Sequence, residues 1–198
     1  MGSSKRAQQV SNFFDLLQTH TMTLFHKIKR WFFYRVLRQN EEETNRIPKI
    51  FNIDSAKTLG IIYDASTSES TSLVTTFANT LKNKDKKVVM LGYINDKKSE
   101  SSELMKLFNK TSLNWYKIPS NKEVDDFLAK DIDVLVAVHT KESLPLQYIA
   151  AHSKAKFRIG PFIEKSKSSY DWMIHCTSDT NLDSYLKQVS FYLESIKH

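Results

Sequence analysis

The run Ile132-Asp133-Val134-Leu135-Val136-Ala137-Val138 limits the folds open to this chain more than any other segment. A strand with one wet face alternates apolar and polar residues, whereas a nearly unbroken apolar run has to be covered on both faces. That condition is met in a parallel sheet with helices above and below it. Ile132–His139 is therefore expected as a central strand.

The chain around it repeats the same logic. Short β-branched or aromatic runs at Thr58–Asp64, Lys87–Tyr93, Leu113–Ile118, Phe157–Gly160 and Trp172–Cys176 are the other expected strands. Helical spacing falls between them at Thr71–Lys82, Ser101–Phe108, Lys122–Ala129 and Pro145–Lys154, and a last helix is expected at Leu182–Ile196. The alternation predicts an α/β domain, Rossmann-like or flavodoxin-like, with a mainly parallel sheet and helices on both faces.

A different segment precedes this domain. From Ala7 to Gln39 there is no Pro or Gly, and Phe14, Leu17, Leu24, Phe25, Ile28, Trp31, Phe32 and Val36 recur at helical spacing. Lys27, Arg30, Tyr34 and Arg38 fall on a neighbouring face, so residues 1–39 are expected to form a basic amphipathic helix. Glu41, Glu42, Glu43 and then Pro48 end it. The boundaries expected are helix 1–39, linker 40–57 and α/β domain 58–198. Met22 stands where a shorter form could begin, so the first 21 residues are expected to be either dispensable or a start-site artefact.

The charge follows this division. The chain carries a formal +7. Residues 1–39 hold seven basic side chains against Asp15 alone, while the remaining residues hold 22 basic and 21 acidic ones. The electrostatic footprint belongs to the helix, and the domain has no global attraction to phosphate. The single cysteine, Cys176, and the lack of a CxxC or HxxxH spacing fit a reducing compartment and name no metal. No apolar run approaches the ~20 residues of a membrane span, and no secretory signal is visible. The expected location is cytoplasmic, with peripheral attachment to the inner membrane as an extension of the helix reading.

Candidate ligand residues come from the sheet topology. In an open parallel sheet, ligands bind beyond the carboxyl ends of the strands. Ser66, Thr67 and Ser68 follow the first strand and could present hydroxyls and backbone N–H groups to a phosphate. The loop has no glycine for close backbone approach, and Asp64 and Glu69 would repel an anion, so N-capping is the better reading. His139, Thr140 and Lys141 follow the central strand, where a histidine could serve as acid or base beside an anion-binding lysine. Lys154 and Arg158 could line an anion site at the rim of a later strand. Four glycines in the whole chain build neither GxGxxG nor GxxxxGK[ST]. No catalytic residue, cofactor or metal ligand is named on this basis.

For the basic helix three readings stand. Its apolar residues, Leu24, Ile28, Trp31 and Phe32, could pack on its own domain, on a protein partner or on a second copy. They could enter an anionic membrane surface with Lys27, Arg30 and Arg38 as counter-charges. Trp31 and Tyr34 could stack on RNA bases, although nothing here selects a base. Packing comes first, because apolar stripes at helical spacing usually become core or interface.

The stretch Leu146-Gln147-Tyr148-Ile149-Ala150-Ala151-His152-Ser153-Lys154-Ala155-Lys156-Phe157-Arg158-Ile159-Gly160 resembles the most recognisable segment of a family of short Bacteroidota proteins, a domain of unknown function. The resemblance runs from about Met22 to the C-terminus and takes in Leu135–Val138 and Tyr170–Ile174. It implies a small cytoplasmic α/β protein and transfers no activity. The function expected is a non-catalytic interaction module docking through its N-terminal helix. The alternatives are a small transferase-like enzyme binding a nucleotide or nucleotide-sugar at the strand ends, and a membrane- or RNA-associated protein.

Overall fold

The computed structural model describes residues 23–39, 47–97, 106–163, 169–177 and 180–196. In chain order these form α1 (residues 23–39), β1 (Thr58–Asp64), α2 (Ser68–Lys82), β2 (Lys87–Ile94), β3 (Leu107–Asn109), α3 (Lys122–Leu128), β4 (Val134–Val138), α4 (Leu144–His152), β5 (Phe157–Phe162), β6 (Trp172–His175) and α5 (Leu182–Ser195). The six strands make one sheet in the order β3-β2-β1-β4-β5-β6, and every pairing in it is parallel. This is the doubly wound Rossmann order rather than the flavodoxin order, with the switch between β1 and β4.

The apolar run behaves as its composition requires. All five residues of β4 are buried. Val134, Val136 and Val138 pack with Val74, Phe77 and Leu81 of α2 and Tyr185, Val189 and Leu193 of α5. Leu135 and Ala137 point the other way, towards Val124 and Phe127 of α3 and Leu146, Ile149 and Ala150 of α4. The period-2 alternation of a strand thus feeds two cores. Helix starts follow from capping: Thr67, Asn121 and Asn181 each accept a hydrogen bond from a first-turn N–H, those of Ser70, Val124 and Ser184.

Asp133 fastens the amino ends of three strands. Its carboxylate accepts from the N–H groups of Lys57 (2.9 Å) and Thr58 (3.0 Å) at the start of β1, and from Lys156 Nζ (2.8 Å) just before β5. Burial pushes its pKa up, but the hydrogen bonds from Lys156, Thr58 and Lys57 and the charge on Lys156 prevail and hold it below the ordinary carboxylate value.

Three expectations are corrected. Leu113–Ile118 is not a strand: Asn114 Oδ1 accepts from the N–H groups of Tyr116 and Ile118, and Lys117 takes a left-handed φ of 74°. A side chain that caps its own following backbone makes a turn out of a β-branched and aromatic run. Leu107 and Phe108, expected in a helix, belong to β3, whose residues pair with Gly92–Ile94. Residues 51–56 of the expected linker are also part of the domain packing, because Phe51, Ile53 and Ala56 are buried and the Ile53 N–H donates to Leu193 O at 2.8 Å. The expected helix from Ala7 lies outside the described residues up to residue 22.

Candidate functional site

At the carboxyl ends of β1 and β4, where this topology would seat a ligand, the residues engage one another. The Ser66 N–H donates to Asp64 Oδ1 (3.0 Å), Ser66 Oγ accepts from the Asn95 N–H (3.0 Å), and Thr67 Oγ1 caps α2. Ser68 is the exposed first residue of α2. The Ser66 and Thr67 hydroxyl oxygens accept hydrogen bonds within the turn.

His139 is 4 % exposed. Its Nδ1 lies 2.7 Å from Lys141 O, a carbonyl that can only accept, so Nδ1 carries the proton. Nε2 then accepts from the Tyr170 hydroxyl at 3.1 Å. Burial pushes the imidazole pKa down, against the opposing influences of the Lys141 carbonyl and the Asp64 charge. The ring is a neutral, doubly bonded plug at the switch point, and both nitrogens are occupied. Tyr170, which the sequence reading missed as a partner, is buried, and that burial raises its phenol pKa far above the ordinary range. Its ring lies against Gly160, where any Cβ would collide with it. Thr140 is half-buried and the Lys141 side chain is exposed.

Lys154 and Arg158 are not brought to this place. Arg158 is the second residue of β5 and Lys154 precedes the strand, so both sit towards the amino ends of the sheet, opposite His139. Arg158 is buried and its guanidinium donates to Ser153 O, while Lys154 is exposed. Cys176 is half-buried with its thiol pKa raised by burial, which keeps it protonated. Among the described residues no group of His, Cys, Asp and Glu could hold a metal ion.

A second surface is built by α1. Phe33 (0 % exposed) and Leu37 enter a cluster with Ile118 and Ala151, flanked by Tyr34, Val36, Tyr116, Leu144 and Tyr148. Arg30 adds two bonds of 2.7 Å to the Glu142 carboxylate, and the Tyr34 hydroxyl donates to the same group at 3.2 Å. The helix is therefore docked on α4 and the 113–118 turn. Leu24, Ile28, Trp31 and Phe32, the apolar residues expected to dock on the domain, a partner or a second copy, take no part in that buried cluster and point outwards; Leu24 is 60 % and Trp31 57 % exposed. Lys27 and Arg38 are exposed beside them.

The outward stripe continues onto the turn. Phe32 meets the Trp115 ring edge-on at 5.1 Å between centroids, and Phe25 stacks on it at 6.5 Å. Lys29 Nζ lies 4.3 Å over Phe25, and the Arg35 guanidinium 5.6 Å from Trp31. Half-buried Lys117 has its ammonium pKa lowered by burial and by the charges of Lys29 and Lys110. Trp115 and Lys117 were missed because Leu113–Ile118 was read as a strand; Asn114 ahead of two aromatic residues was the available signal of a turn.

The sheet order and the docked helix define the class: a doubly wound parallel α/β protein with a basic helix laid on one helical layer. The chain belongs to the family of unknown function DUF6913, which matches residues 26–196. That span takes in most of α1, so helix and domain fall within one family unit. No curated protein and no solved structure matches the chain. Among the described residues no helix is long and apolar enough to cross a membrane.

Proposed function

We propose that this protein is a cytoplasmic, non-catalytic interaction module that docks through the outer face of α1 and the neighbouring 114–117 turn. One observation carries the reading: α1 is already held by Phe33 and Leu37, yet five large hydrophobic residues of the same helix remain exposed. These side chains keep 37 to 60 % of their surface open, and covering apolar area is worth roughly 25 cal/mol per Å², so a contiguous stripe of them is a binding surface in search of its cover. The α/β domain acts as a rigid mount. The saturated His139 and the self-engaged Ser66–Thr67 turn favour this over a nucleotide- or nucleotide-sugar-binding transferase. Placement in a Bacteroidota cell rests on the family resemblance alone.

Velocity sedimentation in an extract of the protein's own cells tests the reading. The native chain should migrate with a larger body, and Ile28→Glu with Trp31→Glu should return it to the rate of a free 23.0 kDa chain. Equal migration of native and substituted chains would overturn it.

A further inference from the structure

Resting on that docking reading, we propose that the occupant is an anionic phospholipid surface: Leu24, Ile28, Trp31 and Trp115 enter the headgroup–acyl boundary, and Lys29, Lys110 and Lys117 meet lipid phosphates. The first ground is charge. Residues 23–39 and 110–117 contain Lys27, Lys29, Arg30, Arg35, Arg38, Lys110 and Lys117 and no Asp or Glu. Only Arg30 is neutralised among the described residues, by Glu142 on the domain side.

The second ground is arrangement. At about 100° per residue, Leu24, Ile28, Trp31 and Phe32 share one arc of α1 opposite Phe33, with Lys27 and Arg38 along one border and Lys29 along the other. An apolar stripe with cations on both margins is the pattern of a helix lying in a membrane interface. Arg35, the one cation within the stripe, lies over the Trp31 ring, so its stem can cover apolar surface while its head reaches the phosphates. The turn adds Trp115 to the same face, giving the surface two aromatic anchors from separate segments.

The third ground is an uncompensated meeting of like charges. Lys29 lies over the Phe25 ring that stacks on Trp115, Lys110 and Lys117 flank Trp115 in sequence, and none of the three forms an ion pair with a described residue; burial first, and then the charges of Lys29 and Lys110, lower the Lys117 pKa. A phosphate between them removes the repulsion.

Two other covers fit less well. A two-fold dimer sets the same patch against itself, which here places cations on cations with no carboxylate to answer them. RNA needs open ring faces for stacking, whereas Trp31 meets the Phe32 ring and the Arg35 guanidinium, Tyr34 turns to Glu142 and Phe33, and the exposed Leu24 and Ile28 offer bases nothing.

The test is sedimentation of the full chain with phosphatidylcholine vesicles, with and without phosphatidylserine, across a salt series. Binding should require phosphatidylserine and fall as salt shortens the Debye length. In a Trp172→Phe background, emission from Trp31 and Trp115 should shift to the blue on binding. Trp31→Glu with Trp115→Glu should abolish it at unchanged circular dichroism. The charge variants Lys29→Gln and Lys110→Gln, remote from the core, should each weaken partition about fivefold, the effect of one basic residue near an anionic surface. No binding to phosphatidylserine vesicles, salt-independent binding, binding to polyuridylic acid in place of vesicles, or concentration-dependent dimerisation through this face would overturn the proposal. If vesicles fail while the extract experiment still responds to Ile28→Glu and Trp31→Glu, the docking reading survives with a different partner; if neither responds, both fall.

Discussion

The guanidinium of Arg30 meets the carboxylate of Glu142 through two bonds of 2.7 Å, joining α1 to the turn that precedes α4. The pair is partly exposed, so its strength rests on two-point geometry rather than on burial. It also fixes the rotation of α1: with Arg30 turned to the domain, Trp31 and Ile28 have to face away. Arg30→Ala is expected to loosen α1 by about 0.5–1 kcal/mol, less at high salt. A double-mutant cycle with Glu142→Gln, read by hydrogen exchange over residues 23–39, measures the coupling directly.

Phe33 is the larger fastening. Phe33→Ala removes a fully buried ring from the cluster with Leu37, Ile118 and Ala151, and buried Phe-to-Ala changes cost about 3–5 kcal/mol. That cluster stands apart from the two sheet cores, so amides of residues 23–39 should lose protection while those of β1 and β4 keep theirs. Equal loss in both would show that helix and domain unfold together.

His139 and Asp133 make two separate acid windows. A histidine whose folded pKa is lowered contributes stability that is present above its unfolded value of about 6.5 and is lost as pH falls below it, because only the unfolded chain takes up the proton readily. An aspartate held below its ordinary value contributes stability that is present above about 3.9 and is lost as pH falls through the folded value. Denaturant titrations should show a first decline below about pH 6.5 that disappears in His139→Gln, and a second below about pH 4 that shrinks in Asp133→Asn. Asp133→Ala should cost about 1–3 kcal/mol near neutrality, since two strand N–H groups lose their acceptor.

Gly160 tests the packing behind that histidine. A methyl at this position strikes the Tyr170 ring, whose hydroxyl holds His139 Nε2. Gly160→Ala should therefore destabilise the domain by about 1–3 kcal/mol, the usual cost of overpacking, and should cost less when made in a Tyr170→Ala background, where the ring it strikes is gone. Strict additivity of the two would contradict the contact.

The fold was legible wherever burial acted on whole strands. Val134–Val138 announced a strand covered on both sides, and the ends of Thr58–Asp64 could be read directly, because the two-sided cover leaves a continuous apolar signal. Legibility failed where a single side chain overrides propensity. Asn114 turns a β-prone run into a tight loop, and β3 is three residues long, too short for any period to register. The candidate surface was half legible. The cations and aromatic residues of α1 were visible as a set, but which of its two apolar stripes faces the domain depends on partners distant in sequence, Glu142 for Arg30 and Ile118 and Ala151 for Phe33. Trp115 and Lys117 could join the set only through the fold.

Hydroxyl-radical footprinting of the full chain, free and with phosphatidylserine vesicles, tests the outward face most directly. Trp31 and Trp115 are expected to react in the free protein and to be protected on binding, with Phe33 unreactive in both states. A reactive Phe33 in the free chain, or a Trp31 already protected there, would contradict the orientation of α1 on which the account stands.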